Sequence, residues 1–354
     1  MSKHKLVAKQ RGLTLLEIMI ALTLGAFMLV GIISLMASVS ATRTELNRSS
    51  ELSENGRYAI QILTDEISLA GYFGPYFNAS VDRTSPDPCE DGTTLANLGI
   101  SLLDSDGDTL APELPTAVEG FGYSASAATP SCFSTTDANI VTNGEVLVVR
   151  RVNANSVAQA SAVDGDPYLQ ISSCDTDADA FRFGTVKANF TLNDDDCNTA
   201  QVWPYRVSSF FVSNCDECDP SDNIPTLKVA EYVDGEFEIS SLVEGIQDIH
   251  FEYGIDLDNN GAPDCYVPDP RVDNLTTVGC PAAGSASDTE NFSNVVSVAV
   301  SVLVRSVTSF PGWNDDKTYD LGEAARVGPF NDAFKRRVFR SVVLIQNVSG
   351  VRES

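Results

Sequence analysis

Hydrophobic residues crowd one end of this chain and then thin into alternation. From Ile18 to Thr42 no charged residue interrupts a run of 25. As a helix at ~1.5 Å per residue this run would be roughly 37 Å long, enough to cross a ~30 Å hydrocarbon core. Further on the pattern is amphipathic. Leu52, Ala59, Leu63 and Ile67 recur at helical spacing, with Glu45, Arg48, Glu51, Glu54, Arg57 and Asp65 among them, so one face is apolar and the other charged. One helix is expected through both stretches, stopped by Gly71 and then Gly74-Pro75.

After Tyr76 the helical period disappears, and short β-branched runs alternate with Gly, Pro, Asn, Asp and Ser clusters. Strands are predicted at 145–152, 181–192, 205–212, 227–233, 246–253, 295–304 and 337–345. Several have period two, the signature of a sheet that buries one face, here against the amphipathic helix. Stretches 82–110, 172–200 and 262–292 read mostly as long surface loops. The predicted class is therefore α+β: a long N-terminal helix packed on a mainly antiparallel β-sheet domain with long loops.

Composition sharpens the picture. With 43% hydrophobic and 20% charged residues, the chain as a whole has the composition of ordinary folding material, with enough apolar residues for an outer core. The formal charge is −26, and discounting Lys3, Lys5, Lys9 and Arg11, which precede the apolar run, takes it to −30. Such a surface repels phosphate backbones, which argues against nucleic acid as a direct partner. Those four basic residues also hold the amino end in the cytoplasm and send the acidic part outward. Cys89, Cys132, Cys174, Cys197, Cys215, Cys218, Cys265 and Cys280 all lie beyond the span. An even number on one side of a membrane points to disulfides formed in an oxidising periplasm, with connectivity left open. Cys215 and Cys218 form a C-x-x-C pair, but their flanking acids disfavour a reactive thiolate, so a local structural disulfide is expected.

Val39-Ser40-Ala41 could be read as a signal-peptidase site releasing a soluble protein, yet the apolar run is too long for an ordinary secretory signal. Glu17 stands at its start, where a charge carried to the bilayer centre would cost about 2.5–3.5 kcal/mol. The segment Arg11-Gly12-Leu13-Thr14-Leu15-Leu16-Glu17 resembles the prepilin peptidase site of type IV pilins and type II secretion pseudopilins. That resemblance implies cleavage between Gly12 and Leu13, methylation of the new amine, and retention of the helix as an anchor. It also implies that Glu17 meets the terminal amine of an adjacent subunit. Leu13 stands where the family usually has Phe. Leu242–Gly254 and the strand from Arg337 to Ile345 resemble PilW-type minor pilins. The implied organisation is a leader at 1–12, a transmembrane and assembly segment at 13–42, an amphipathic continuation at 43–75 and a β-rich outer domain at 76–354. The implied partners are prepilin peptidase, other major and minor pilins through the helix, and the inner membrane before assembly into a surface pilus.

Asp256-Leu257-Asp258-Asn259-Asn260-Gly261-Ala262-Pro263-Asp264 fits the start of an EF-hand loop. Asp256, Asp258, Asn260 and Asp264 would supply side-chain oxygens and Ala262 a carbonyl to calcium. The twelfth-position Glu is replaced by Val267, so a further ligand such as Asp269 would have to be borrowed. An acidic hairpin loop needing no metal fits the same residues. Asp104-Ser105-Asp106-Gly107-Asp108 has alternating acids but Thr109 at the turn, and reads as a solvated loop. No other cofactor is implied. His250, alternating with Ile249, Phe251 and Tyr253, is expected to face solvent, and no catalytic constellation can be assembled around it. The expected function is a minor pilin that initiates or caps the filament; a type II secretion pseudopilin and a calcium-dependent tip adhesin are the alternatives.

Overall fold

The computed structural model describes residues 12, 14–75, 83–89, 114–123, 129–134, 138–233, 236–271, 280, 288–322 and 325–352. The chain divides into two compact units, Met1–Ser50 and Glu51–Ser354. Helix α1 occupies Leu15–Leu69. In the first unit its apolar side chains are exposed, Phe27 and Met28 among them. In the second unit Leu52, Gly56, Ala59, Leu63 and Ile67 are buried. The helix ends where Gly71 takes a positive φ of 71°, a conformation that favours glycine, and its amide donates to the Arg150 carbonyl.

The rest of the second unit is mostly antiparallel sheet. One sheet contains β3 (Val118–Phe121), β4 (Val146–Val152), β5 (Tyr168–Ile171), β6 (Phe181–Gly184), β7 (Val202–Ser213), β8 (Thr226–Val233) and β9 (Glu236–Glu244). The other runs in the order β11 (Cys265–Val267), β10 (Ile246–Ile255), β12 (Val295–Arg305), β13 (Arg336–Leu344). A short parallel pair, β1 (Arg83–Thr84) with β2 (Leu114–Pro115), and the helices α2 (Asp288–Ser293) and α3 (Gln346–Arg352) complete the described strands and α-helices. Gly245 alone separates β9 from β10, at a φ of 78°, so the chain passes from one sheet to the other through one residue. The main core joins both sheets to α1: Leu147, Val149, Phe210 and Leu227 from the first, and Phe251, Tyr253, Val300 and Val343 from the second, cluster with Leu63 and Ile67.

Two sequence expectations need correcting. The strand expected at 181–192 stops at Gly184, because Lys187–Asn189 turns into a 3-10 helix and Phe190 is buried with Tyr168 and Val202. Strands β1, β2, β3, β5, β9 and β11 went unpredicted. All but the nine-residue β9 span two to four residues, too few for alternation to stand out.

Candidate functional site

At the start of α1, Thr14 and Glu17 form a reciprocal cap. The Thr14 amide and hydroxyl each donate to Glu17 Oε2 at 2.9 Å, and the Glu17 amide donates to the Thr14 hydroxyl at 3.3 Å. This is the capping box that Thr-x-x-Glu favours, and it gives the one carboxylate of the apolar stretch local donors. Leu13 lies outside the described residues, as do the four basic positions; Gly12 is exposed, with open space beside it. Farther along, the Thr23 hydroxyl donates to the carbonyls of Met19 and Ile20, and that of Thr42 to Ser38. Polar side chains in this stretch thus return their protons to the helix, as an apolar surrounding demands. The helix is long and apolar enough to cross a membrane.

The acidic loop joins β10 to β11, with Ile255 paired to Cys265 across its base. One oxygen each from Asp256, Asp258 and Asp264 falls within 4.8 Å of the others. Asp256 is buried, accepts the amides of Asn260 and Gly261 and lies 3.2 Å from the Arg352 guanidinium. Burial works against its ionisation, but the Gly261 amide, Arg352 and the Asn260 amide outweigh this and hold the carboxyl below its ordinary value. The Asn260 side-chain oxygen accepts the Ala262 amide, and Asp264 accepts that of Leu257. The donor set suits a hard cation, but Arg352 already places a positive charge against Asp256. Val267, which stands in the position of the missing Glu, is buried on β11, and Asp269, the ligand expected to be borrowed, accepts the Arg271 amide and is not part of the group. The cluster at 104–108 lies outside the described residues.

Each cysteine pairs with its neighbour in sequence: Cys89–Cys132, Cys174–Cys197, Cys215–Cys218 and Cys265–Cys280. The Cys215–Cys218 bridge sits at the end of the β7–β8 hairpin. Beside it stand Asn139, whose side-chain amide reaches Cys215 Sγ at 2.9 Å, and Lys228, whose Nζ lies 3.4 Å from Cys218 Sγ. The sequence reading saw the flanking acids but not this lysine, which comes from the facing strand.

His250 does not face solvent. It is buried, its Nδ1 lies 2.6 Å from Glu145 Oε1, and the Phe251 amide donates to the other Glu145 oxygen at 3.0 Å. The Tyr123 ring lies 5.5 Å from the imidazole. Alternation correctly separated His250 from its apolar neighbours, but it cannot reveal that the second face of a strand is also covered. A further buried network escaped notice: Arg150 binds Glu119 at 2.6 Å, the hydroxyl of Thr116 at 3.0 Å and the carbonyl of Pro86 at 2.7 Å, while Arg271 pairs with the other Glu119 oxygen. An arginine inside the apolar run Val146–Val152 was the available signal.

Against known families, residues 7–33 match the prokaryotic N-terminal methylation motif, and residues 209–347 match Type IV Pilus-assembly protein W. The second match covers the stretch from late β7 through β13 into α3. No curated protein and no solved structure matches the chain.

Proposed function

We propose, for what is a type IV pilin-like chain of the PilW type, that it acts as a low-copy minor pilin that initiates or caps the filament. Prepilin peptidase cuts between Gly12 and Leu13, the Leu13 amine is methylated, and the helix holds the subunit in the inner membrane until it joins other pilins. The observation that carries this reading is the exposed apolar stretch of α1, whose first turn contains one acid, Glu17, beneath a methylation motif. An outer unit of this size, with long loops, suits a filament end better than the repeating shaft. Mass spectrometry of the native chain tests the processing: the mature protein begins at N-methylated Leu13, and a start after Ala41 would overturn the anchor. Deletion tests the system served. Loss of piliation supports the pilus; normal pili with blocked exoprotein secretion would make the chain a pseudopilin.

A second reading attaches to the Asp256, Asp258 and Asp264 group: calcium stiffening the β10–β11 loop for contact at the filament tip. Calcium added to the detergent-solubilised chain then raises the melting temperature, and Asp258→Ala abolishes the rise. No shift in the unaltered chain removes this reading.

A further inference from the structure

The Cys215–Cys218 disulfide differs from the other three in what it closes and in what surrounds it. Its cysteines are separated by three positions, against 43, 23 and 15 for the others. A cross-link stabilises a fold chiefly by restricting the unfolded chain, and does so least for a short loop. Constraint of the fold is therefore the weakest reason for this bridge.

Its surroundings suit chemistry. Cys215 is buried and Cys218 partly exposed, so of the two residues Cys218 is the one that presents surface to an incoming thiolate. Around the pair, the Asn139 amide reaches Cys215 Sγ at 2.9 Å, the Ser213 hydroxyl lies 3.6 Å from Cys215 Sγ and 3.7 Å from Cys218 Sγ, and Lys228 Nζ lies 3.4 Å from Cys218 Sγ. Lys228 is itself buried, on β8. Of the nearby acids, Asp222 accepts the amides of Asp216, Glu217 and Ile224, while the flanking Glu217 is exposed and Asp216 half-exposed, so that solvent screens their effect on a thiolate. Each sulfur thus faces a hydrogen-bond donor that can hold a thiolate, and one of those donors is a lysine amine.

We infer that Cys215–Cys218 is a reversible thiol–disulfide exchange site, reduced by a dithiol donor through attack on Cys218. The donor's first thiolate forms a bond to Cys218 Sγ as the Cys215–Cys218 bond breaks, and the electron pair leaves on Cys215, held by Asn139 and Ser213. Cys215 then takes up a proton. The donor's second thiolate attacks its own sulfur in the mixed disulfide and releases Cys218 as a thiolate beside Lys228, which is protonated in turn. Two electrons and two protons pass to the protein, and the donor leaves as a disulfide. Lys228 acts directly on the reacting sulfur.

The test is timed reduction of the detergent-solubilised full chain with dithiothreitol, trapping thiols with an alkylating agent and reading each cysteine by peptide mass spectrometry. Cys215–Cys218 opens at least tenfold faster than Cys89–Cys132 and Cys174–Cys197, Lys228→Met slows it at least tenfold, and Lys228→Arg restores the rate. Equal rates for all bridges in the unaltered chain would overturn the inference. So would a Lys228→Met chain that keeps the native melting temperature and the native rate. Should Lys228→Met fail to fold, the ordering in the unaltered chain and the slowing by Asn139→Ala decide the matter alone, a native rate in the latter counting against it.

Discussion

Gly56 is the position on α1 where a single carbon decides packing. A Cβ there would overlap the ring of Phe339, which lies against the helix backbone. In an open helix Gly→Ala stabilises by roughly 0.5–1 kcal/mol, whereas forcing atoms into a filled core costs about 1–3 kcal/mol. Overlap wins: Gly56→Ala lowers the melting temperature, and Phe339→Ala in the same chain makes the added methyl neutral or favourable, which a double-mutant cycle reads. The buried Arg336 obeys a different rule. It lies 2.8 Å from buried Asp315, grips both oxygens of Asp332 at 2.6 Å and donates to Gln247. Arg336→Met leaves buried Asp315 with the Tyr319 hydroxyl but no counter-charge, so a loss of about 3 kcal/mol is expected in denaturant titration. The hydrogen bond from Arg336 holds the Asp332 carboxyl below its ordinary value despite partial burial. A lowered carboxylate contributes its stability fully above the unfolded value of about 3.9 and loses it as the pH falls through the folded one. Asp332→Asn and the unaltered chain therefore differ in stability at pH 6 and converge toward pH 2. The partnerships with Asp315 and Gln247 were not legible in sequence, because Arg336 meets them only through the long connection between β12 and β13 and the pairing of strands. His250 escaped for the same reason, its Glu145 lying 105 positions away.

At the scale of elements, legibility followed length, with the nine-residue β9 the exception. The helix could be read because its apolar run and its 3.6-residue period extend over many turns and a glycine ends it; β10, β12 and β13 could be read because nine to eleven residues hold their pattern. Strand β5 has four residues, and its place is set by pairing to the first residues of β7, which local sequence cannot supply. The loop from 172 to 200 shows how such regions are ordered. Cys174 and Cys197 join across it, and Asp177 binds the Ser172 hydroxyl and the amide and side chain of Asn193. Those hydrogen bonds, that of Ser172 foremost, lower the Asp177 carboxyl. A bridge over this separation is worth about 3 kcal/mol through the unfolded chain. Replacing both cysteines with serine should lower stability by that order while β7 and β8 keep their amide protection. Hydrogen exchange checks the second half of that statement, since loss of protection throughout the sheet would mean the bridge holds more than its loop.

The whole molecule sets one acid against a membrane and a formal charge of −26 against its neighbours. In a single subunit the Glu17 carboxylate has Thr14 as its donor, two hydrogen bonds that soften desolvation without cancelling charge. A carboxylate near the apolar core remains costly, by up to about 2.5–3.5 kcal/mol, until a cation meets it. Under the proposed function, the methylated amine of a neighbouring subunit is the cation that relieves this cost on assembly. Glu17→Ala removes both the cost and the attraction. The variant should insert and be cleaved normally, remain in the membrane fraction and fall at least tenfold in sheared filaments, as quantitative immunoblotting of the two fractions would read. Glu17→Gln separates the two contributions: it keeps a hydrogen-bonding partner for Thr14 but has no charge, so if the amine is the partner it assembles as poorly as the alanine variant. Normal assembly of the glutamine variant would mean that the cap, and not the ion pair, is what the filament requires of this residue.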